Sequence, residues 1–466
     1  MSKQQTQRQY NLTEGNILNK LLLVALPIMG TQLMQMTYNL TDMFWLGRLS
    51  SDAVAASGSA GMYLWLSQAF MMIARMGAEI GVAQHIGRGE PERAKRFSQN
   101  ALFLGLTLGL AYGGALALFN KQFIGFFAIK EAHVAVDAAA YLAAVGIGIP
   151  MVFITSAVTG TFNASGNSRI PFFINSAGLV INMILDPLMI FTLDMGIVGA
   201  ALATVAGQTA VCLLSLLALT RHKDRPFPDM KLFVAPDRDI IRQIFTWCIP
   251  IGLESMLFTF LSMLVSRFVA GWGSSAIAVQ RVGSQIESLS WLLGSGLGSA
   301  FTAFVGQNYG AGKYGRIHRG YRVSALCGSA WGVFVTCLLF FLGGTLYGVF
   351  VQEAEIIRMG TQFMRILALC QIPASLEGVS SGAFKGMGKT VPPTLISVGC
   401  NAFRVPLAYL LSQTALGLDG IWVGITIGAV MRGMGMFIWY NLYARQLPKA
   451  DTSPTSSAAD QPSFQA

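Results

Sequence analysis

Long apolar runs separated by short polar stretches make up most of the chain. A helix needs about 20 apolar residues to cross a bilayer. Twelve runs reach that length, so the pattern predicts an all-α polytopic membrane protein with twelve transmembrane helices. Their approximate bounds are 16–47, 54–84, 97–119, 134–158, 169–193, 196–220, 240–270, 276–308, 320–349, 355–383, 392–414 and 419–444.

The composition agrees with a chain that lies mostly in lipid. Only 12% of the 466 residues are charged, against about 25% in soluble proteins, and the mean hydropathy is +0.54. The net charge of +10 is spread over the loops, so we expect no nucleic-acid partner. The six cysteines lie in apolar runs without metal-binding spacing, which indicates small buried hydrophobic residues.

The basic residues alternate between successive loops and therefore predict orientation. Loops after the even-numbered runs are rich in Lys and Arg, whereas the others are poor in both. The positive-inside rule then places both termini in the cytoplasm. We expect a cytoplasmic N-terminus over 1–15 and a disordered cytoplasmic tail over 446–466.

An internal repeat divides the chain into halves. The stretch GVAQHIGRGEPERAKRF after the second run matches FVGQNYGAGKYGRIHRGY after the eighth, with Gln84 aligned to Gln307 (307 − 84 = 223). Three further matches fall within one residue of this offset. We expect two six-helix lobes, 16–220 and 244–445, related by a pseudo-twofold axis along the membrane normal. The basic segment 221–243 is the expected cytoplasmic linker.

The fifth run carries polar residues where lipid-facing carbon is expected. Asn182 and Asp186 are four residues apart and share one helix face. Pro187 cannot donate a hydrogen bond, which leaves the carbonyl of Met183 free. A carboxylate inside a membrane is costly, so its presence indicates a functional site. The alternative interpretation is a helix–helix hydrogen bond.

Depth in the membrane indicates which other residues share this site. Counting at 1.5 Å per residue from the outer ends of their runs, Asp42, Asp186 and Thr204 lie about 8, 12 and 12 Å below the surface. Two carboxylates in a low-dielectric pocket must hold a proton or a cation between them. That competition is a physical basis for ion coupling. The alternative for Thr204 is a bond to its own helix backbone.

These motifs together resemble the multidrug and toxic compound extrusion (MATE) family over about residues 15–445. The resemblance rests on LPI at Leu26–Ile28, YNLTDMFWLG at Tyr38–Gly47, INMILDP at Ile181–Pro187, GIVGAALATVAGQ at Gly196–Gln208, and the two glutamine loops. An acid in the first run and Asn-x3-Asp in the fifth resemble the prokaryotic DinF-like branch.

The resemblance implies a secondary active antiporter of the bacterial inner membrane. It implies two lobes around a cavity that opens alternately to each side, and export of cationic amphipathic drugs in exchange for Na+ or H+, with no other cofactor and as a monomer. It also places Asn182, Asp186, Thr204 and the carbonyl of Ala200 in the family's cation site, with Asp42 as the first-run acid. The choice between Na+ and H+ stays open.

A polar stripe on the first run is expected to face the substrate cavity. Gln35, Tyr38, Asn39 and Asp42 recur at helical spacing, and we expect cation loading to bend this helix near Pro27. Soft and aromatic side chains in the first two runs suit organic cations. The candidates for the cavity are Gln35, Tyr38, Asn39, Met34, Met62 and Tyr63.

The second lobe differs at the aligned positions. Arg404 aligns with Asn182 and Ala408 with Asp186, so we expect coupling to belong to the first lobe. We expect Arg404 to pair with Glu287 in a charge network. The remaining candidates for this network are Arg281, Glu377 and Arg432.

Three charged residues lie near the cytoplasmic ends of their runs. Arg75 and Glu79 are four residues apart and form either an in-helix pair or a cytoplasmic gate, and Glu254 is a candidate cap or gate residue. Another branch of the family uses an acid in the seventh run for coupling. Glu254 lies only four residues after Pro250, about one turn from that position, so its role stays open between coupling and gating.

The main alternative function is a flippase for lipid-linked oligosaccharides from the related MOP superfamily. Its cavity would be lined with Arg and Lys, whereas the polar residues of the first lobe are acidic or neutral, which favours cationic cargo. An enzyme is not expected, since the runs contain no HExxH, GxSxG or Walker sequence and all four histidines lie in loops or at run ends.

Overall fold

The computed structural model describes residues 11–127, 129, 131–232, 234–448 and 451, and the regular structure of these residues is helical. The expected N-terminal segment up to residue 10, and the tail from 452 onward, lie outside the described residues. The α-helices are α1 Ile17–Leu49, α2 Ser51–Gly87, α3 Pro91–Leu118, α4 Asn120–Gly125, α5 Ala132–Ala164, α6 Arg169–Pro187, α7 Gly196–Arg221, α8 Arg238–Ala270, α9 Ser274–Gly310, α10 Tyr314–Phe350, α11 Ala354–Ala368, α12 Gln371–Gly386, α13 Val391–Ser412 and α14 Leu418–Ala444.

The predicted runs correspond to these long helices, and the chain is a multi-pass membrane protein. Among the described residues, nine helices are long and apolar enough to cross a membrane by length and composition. The other two long helices, α2 and α9, each have 37 residues and extend to the polar repeat motifs.

The tenth predicted run is wrong as a single helix. Residues 355–383 form α11 and α12, which are separated at Leu369 and Cys370. Pro373 lies in the first turn of α12, where a missing N–H is tolerated because first-turn N–H groups have no intrahelical partner. Across the break, the carbonyl of Leu367 accepts from both the Cys370 N–H and the Gln371 side chain, each at 3.2 Å.

Helix packing reproduces the repeat seen in the sequence. A Cβ on Gly81 would lie 2.2 Å from the Phe97 ring, and at the aligned positions a Cβ on Gly320 would lie 2.4 Å from the Phe304 ring. The two halves therefore use the same close contact with the large and small residues exchanged. Only glycine permits these approaches without displacing the ring.

The chain divides into two compact units. The first comprises Asn11 with Leu26–Gly252, and the second comprises Leu12–Ala25 with the described residues from Leu253 onward. Segment 221–243 is anchored in the first unit, because Phe227 and Met230 are buried in its apolar core.

Candidate functional site

The end of α6 positions the two polar residues of the fifth run. Asp186 lies in its last turn, and a π-helical turn, Leu188–Thr192, follows Pro187 directly. Proline cannot continue the ordinary α-helical hydrogen-bond ladder, and π-helical turns are frequent at functional sites. The wider turn therefore begins immediately after the carboxylate.

Asn182 and Asp186 form a bonded pair within α6. The Asn182 Nδ2 donates to Asp186 Oδ1 at 3.0 Å, and both residues are fully buried. The remaining oxygens, Asn182 Oδ1 and Asp186 Oδ2, are buried and have no hydrogen-bond partner among the described residues. The bond thus lies within one helix, and the free oxygens stay available to a ligand.

Two other helices bring oxygens toward this pair. Tyr38 and Asp42 come from α1, and Thr204 comes from α7. Asp42 acts electrostatically on Asp186, and the Tyr38 hydroxyl faces Thr204 while both carboxylates act on it. The hydroxyls of Tyr38 and Thr204 and Asp42 Oδ1 have no partner with hydrogen-bond geometry in the described part of the chain. The structure therefore places Asp42, Asn182, Asp186 and Thr204 near one another.

This donor set fits a proton or a monovalent cation. Buried polar atoms are normally satisfied, so five buried oxygens without partners, from Tyr38, Asp42, Asn182, Asp186 and Thr204, indicate that the site binds something further. Hard cations take oxygen ligands. Among the described residues, no group of three or more His, Cys, Asp or Glu side chains could hold a metal ion. Ala200, one turn before Thr204 on α7, is fully buried.

One member of the site is absent from the sequence-based set. Tyr141 on α5 is 5% exposed, and Asp42, Tyr38 and Asp186 all act electrostatically on it. It lies in an alanine-rich stretch, and its polar neighbour at helical spacing is Asp137, four residues earlier. Its depth, seven residues after Val134 at the start of the fourth run, and the acid one turn before it are the signals that could have placed it in the layer of Asp42 and Asp186.

The predicted cavity residues lie in different environments. Gln35 and Asn39 are exposed on α1, and Met62 is 51% exposed on α2. Met34 is half-buried. Tyr63 is held by packing, since its hydroxyl donates to the carbonyl of Phe123 at 2.7 Å.

The three candidate gate residues do not form one cluster within a unit. Arg75 and Glu79 form an ion pair within α2 at 4.0 Å, with Glu79 fully buried. Glu254 belongs to the second unit, and its Oε2 is buried without a hydrogen-bond partner in the described chain.

In the second unit the charge network differs from the expected pairing. Arg432 Nε donates to Glu377 Oε2 at 2.8 Å, which joins two predicted members of the network. Arg404 does not bond to Glu287: its Nη2 donates to Ser262 Oγ at 3.0 Å, while Glu287 accepts from Trp291 Nε1 at 3.4 Å. Arg281 is exposed and has no ion pair within 4.0 Å among the described residues. The Phe258 ring lies beside the Arg404 guanidinium at 5.6 Å, and Glu287 acts on Arg404 only through space.

Comparison with known proteins identifies relatives over most of the chain. The probable multidrug resistance protein NorM of Thermotoga maritima is 27% identical over 426 residues, covering 89% of this chain and 90% of the relative. The multidrug export protein MepA of Staphylococcus aureus (strain MSSA476) is 22% identical and covers 94% and 96%.

Solved structures share the fold. A MATE crystal structure in complex with MaD3S has a TM-score of 0.89 at 21% identity and covers 95% of this chain and 99% of that one. An outward-facing multidrug resistance MATE transporter of the MOP superfamily has a TM-score of 0.87 at 22% identity, with the same coverage.

The sequence model of the family described as MatE matches residues 27–188 and 250–410, one stretch in each half of the repeat. Members of this family are transporters rather than enzymes. The protein belongs to the MATE family of multidrug efflux transporters.

Proposed function

We propose that this chain is a secondary active multidrug antiporter that exports cationic amphipathic organic compounds in exchange for Na+ or H+. The observation that carries the proposal is the group of five buried oxygens without partners around Asp42 and Asp186. The names of the relatives, which describe multidrug resistance and export, support the cargo.

The coupling site comprises Asp42, Asn182, Asp186 and Thr204, with the carbonyl of Ala200 and the hydroxyls of Tyr38 and Tyr141 beside it. Two mutually repelling carboxylates away from water are stabilised when one takes up a proton or both hold a cation. Loading therefore removes the repulsion between α1 and α6, and unloading restores it.

The first helix transmits this change to the substrate. Asp42 and Tyr38 lie on the same face of α1 as Gln35 and Asn39, whose side chains are exposed. Pro27 lies inside α1, where a proline weakens the helix and permits bending. Cation loading then bends α1 and changes the surface that its exposed side chains present to the drug. Cation binding and drug binding are thereby coupled in an alternating-access cycle.

The remaining assignments belong to the same proposal. The protein lies in the bacterial inner membrane as a monomer with both termini in the cytoplasm. Exposed residues of the first two helices contact the drug. The Arg75–Glu79 pair of α2 and, separately, Glu254 of α8 act near the cytoplasmic ends of their helices.

Efflux from proteoliposomes tests the proposal. Purified protein is reconstituted with internal ethidium, and Na+ and pH gradients are imposed separately. We expect one of the gradients to accelerate ethidium transport, and Asp186→Asn to reduce the accelerated rate at least about tenfold.

Asp194→Asn is the matched control. Asp194 is exposed, and its positive φ of 51° is one that asparagine also tolerates. Its transport rate should equal that of the wild type. If neither gradient changes ethidium transport by the wild type, the antiporter function is wrong.

A further inference from the structure

Rings and guanidinium groups alternate along one column in the second unit. The Arg432 guanidinium lies 5.6 Å from the Trp291 ring and 5.8 Å from the Phe258 ring, and the Arg404 guanidinium lies 5.6 Å from Phe258. Each distance is within the range of a cation–π contact. Trp291, at one end of the column, is 45% exposed.

The two arginines differ in their partners. Arg432 is paired with Glu377 at 2.8 Å, donates to Asn401 Oδ1 at 3.4 Å, and is further favoured electrostatically by Glu254. In the described chain, the Ser262 hydroxyl is the one hydrogen-bond partner of Arg404, whose Nε is buried without a partner. The carboxylate that acts on Arg404 through space, Glu287, is bonded to Trp291.

The niche around Arg404 is shaped for this side chain. Arg404 is 8% exposed, and a Cβ on Gly428 would lie 2.9–3.2 Å from its Cβ, Cγ and Cδ atoms. In the first unit, Gly207 faces Asn182 in the corresponding way, since a Cβ on Gly207 would lie 3.4 Å from the Asn182 Cβ. The second half of the repeat thus keeps the packing and replaces a neutral amide with a fixed positive charge.

A buried guanidinium without a carboxylate partner is costly unless something completes it. Arginine is the side chain best suited to carboxylates, because its planar N–H groups match two oxygens. Phe258 and Trp291 supply ring faces in the same column. The available donor, the unpaired charge and the rings together define a complement to an aromatic carboxylate.

We propose that Arg404 is the recognition residue for a carboxylate group on aromatic amphipathic compounds that this protein exports. The inference rests on the proposed efflux function and adds to its cationic cargo a second substrate class, aromatic compounds that carry an acid group beside the ring. The incoming carboxylate bonds to the free Nε–H, and its ring packs against the column.

Binding of a matched pair of small molecules tests this assignment. Purified full-length protein in phosphatidylcholine nanodiscs is titrated calorimetrically with 2-naphthylacetate and with 2-naphthylacetamide, which share the ring and differ in charge. We expect about tenfold or more tighter binding of the acetate, as for hydrogen bonds to charged groups. Equal binding of the two by the wild type would overturn the proposal.

Variants then assign the preference to one residue. Arg404→Gln should bring the two affinities together, and Arg404→Lys should retain a smaller preference because it keeps the charge without the fork. Arg267→Gln is the control, because Arg267 is exposed in the same unit. This variant should prefer the acetate over the amide as strongly as the wild type does. An undiminished preference in Arg404→Gln contradicts the proposal. If that variant does not fold, Arg404→Met replaces it and carries the same expectation.

Two further measurements separate this proposal from its competitors. Addition of phosphatidylglycerol to the nanodiscs should leave the preference for the acetate over the amide intact. If the preference disappears, Arg404 binds lipid phosphate and the assignment is overturned. Gradient-driven ethidium transport by the wild type tests the antiporter function alone, since ethidium carries no acid. Transport of ethidium without any carboxylate preference rejects only the inference about Arg404.

Discussion

The Thr204 hydroxyl differs from most threonine hydroxyls in these helices because it does not bond to its own helix backbone. Most threonines inside these helices bond to the carbonyl four residues earlier, as Thr209 does to Val205 at 2.7 Å on the same α7. Thr204 Oγ1 is buried without such a bond in the described chain. The interpretation as a ligand therefore gains support over the back-bonded alternative.

Thr204→Val should weaken binding of the coupling cation and leave the fold intact. Valine keeps the shape but removes one oxygen from the site, so we expect the apparent affinity for the driving ion to fall about tenfold. The measurement is the initial rate of ethidium efflux against Na+ concentration or pH. Thr204→Ser should restore the wild-type value, and Thr209→Val should not alter it. An unchanged affinity in Thr204→Val would remove Thr204 from the site.

The membership of the site could be predicted in part. Asp42, Asn182 and Asp186 stand out because an acid or amide is costly in lipid, and their depth follows from the helical rise alone. Tyr141 does not stand out, since a tyrosine near a membrane boundary is ordinary. The bond from Arg404 to Ser262 could not be predicted either, because it depends on how the side chains of α13 meet those of α8.

Helices were predicted better than their interruptions. Apolar length fixes where a helix crosses, and the described helices follow the predicted runs. The break between α11 and α12, the π-helical turn after Pro187 and the short α4 were not predicted. They depend on local hydrogen bonding of the backbone, such as the bonds from the Cys370 N–H and the Gln371 side chain to the carbonyl of Leu367. The length of an apolar run carries no information about such bonds.

Two helices are joined at their N-terminal ends by a pH-sensitive contact outside the spans. His133 Nε2 lies 2.9 Å from Asp52 Oδ2, joining the start of α5 to the start of α2. The hydrogen bond with the Asp52 carboxylate raises the pKa of His133 above its usual value. The contact stabilises the folded state fully below the unfolded-state pKa of about 6.5. That contribution disappears as the pH rises through the higher folded-state pKa.

Asp52→Asn should therefore lower the melting temperature more at about pH 6 than at about pH 9, where histidine is neutral in both proteins. The effect is small because both side chains are exposed. Thermal unfolding at the two pH values measures it. Asp137→Asn, which acts on His133 only through space, should have a smaller pH-dependent effect. An Asp52→Asn effect of the same size at both pH values would exclude the ion pair as its cause.

The repeat explains how one chain supports two different chemistries. Both halves keep the same glycine approaches, so the backbone framework is common. The first half holds two carboxylates beside buried oxygens, and the second holds guanidinium groups between rings. Because helix packing depends on the small residues and the chemistry on a few large ones, the two could diverge independently.

The repeat motif around Gln307 has a structural role that the sequence does not reveal. Its side chain accepts from the backbone N–H of Leu12 at 3.0 Å, and Asn308 donates to the carbonyl of Leu12 at 3.2 Å. Arg316 donates to the carbonyls of Leu12 and Glu14 at 3.2 and 3.1 Å and lies over the Phe304 ring. The second unit thus holds the chain that leads into α1.

Arg316→Ala should loosen this segment and destabilise the second unit by about 1–3 kcal/mol, as expected for losing charge-assisted bonds to the carbonyls of Leu12 and Glu14. Leu12 is fully buried, so its carbonyl would lose one donor without gaining water. Arg319→Ala is the control, since Arg319 is exposed and donates only within its own helix. Thermal unfolding and hydrogen exchange of residues 12–14 measure the change. Equal stability and equal exchange in the two variants would mean that the segment is held by the burial of Leu12 and not by the arginine.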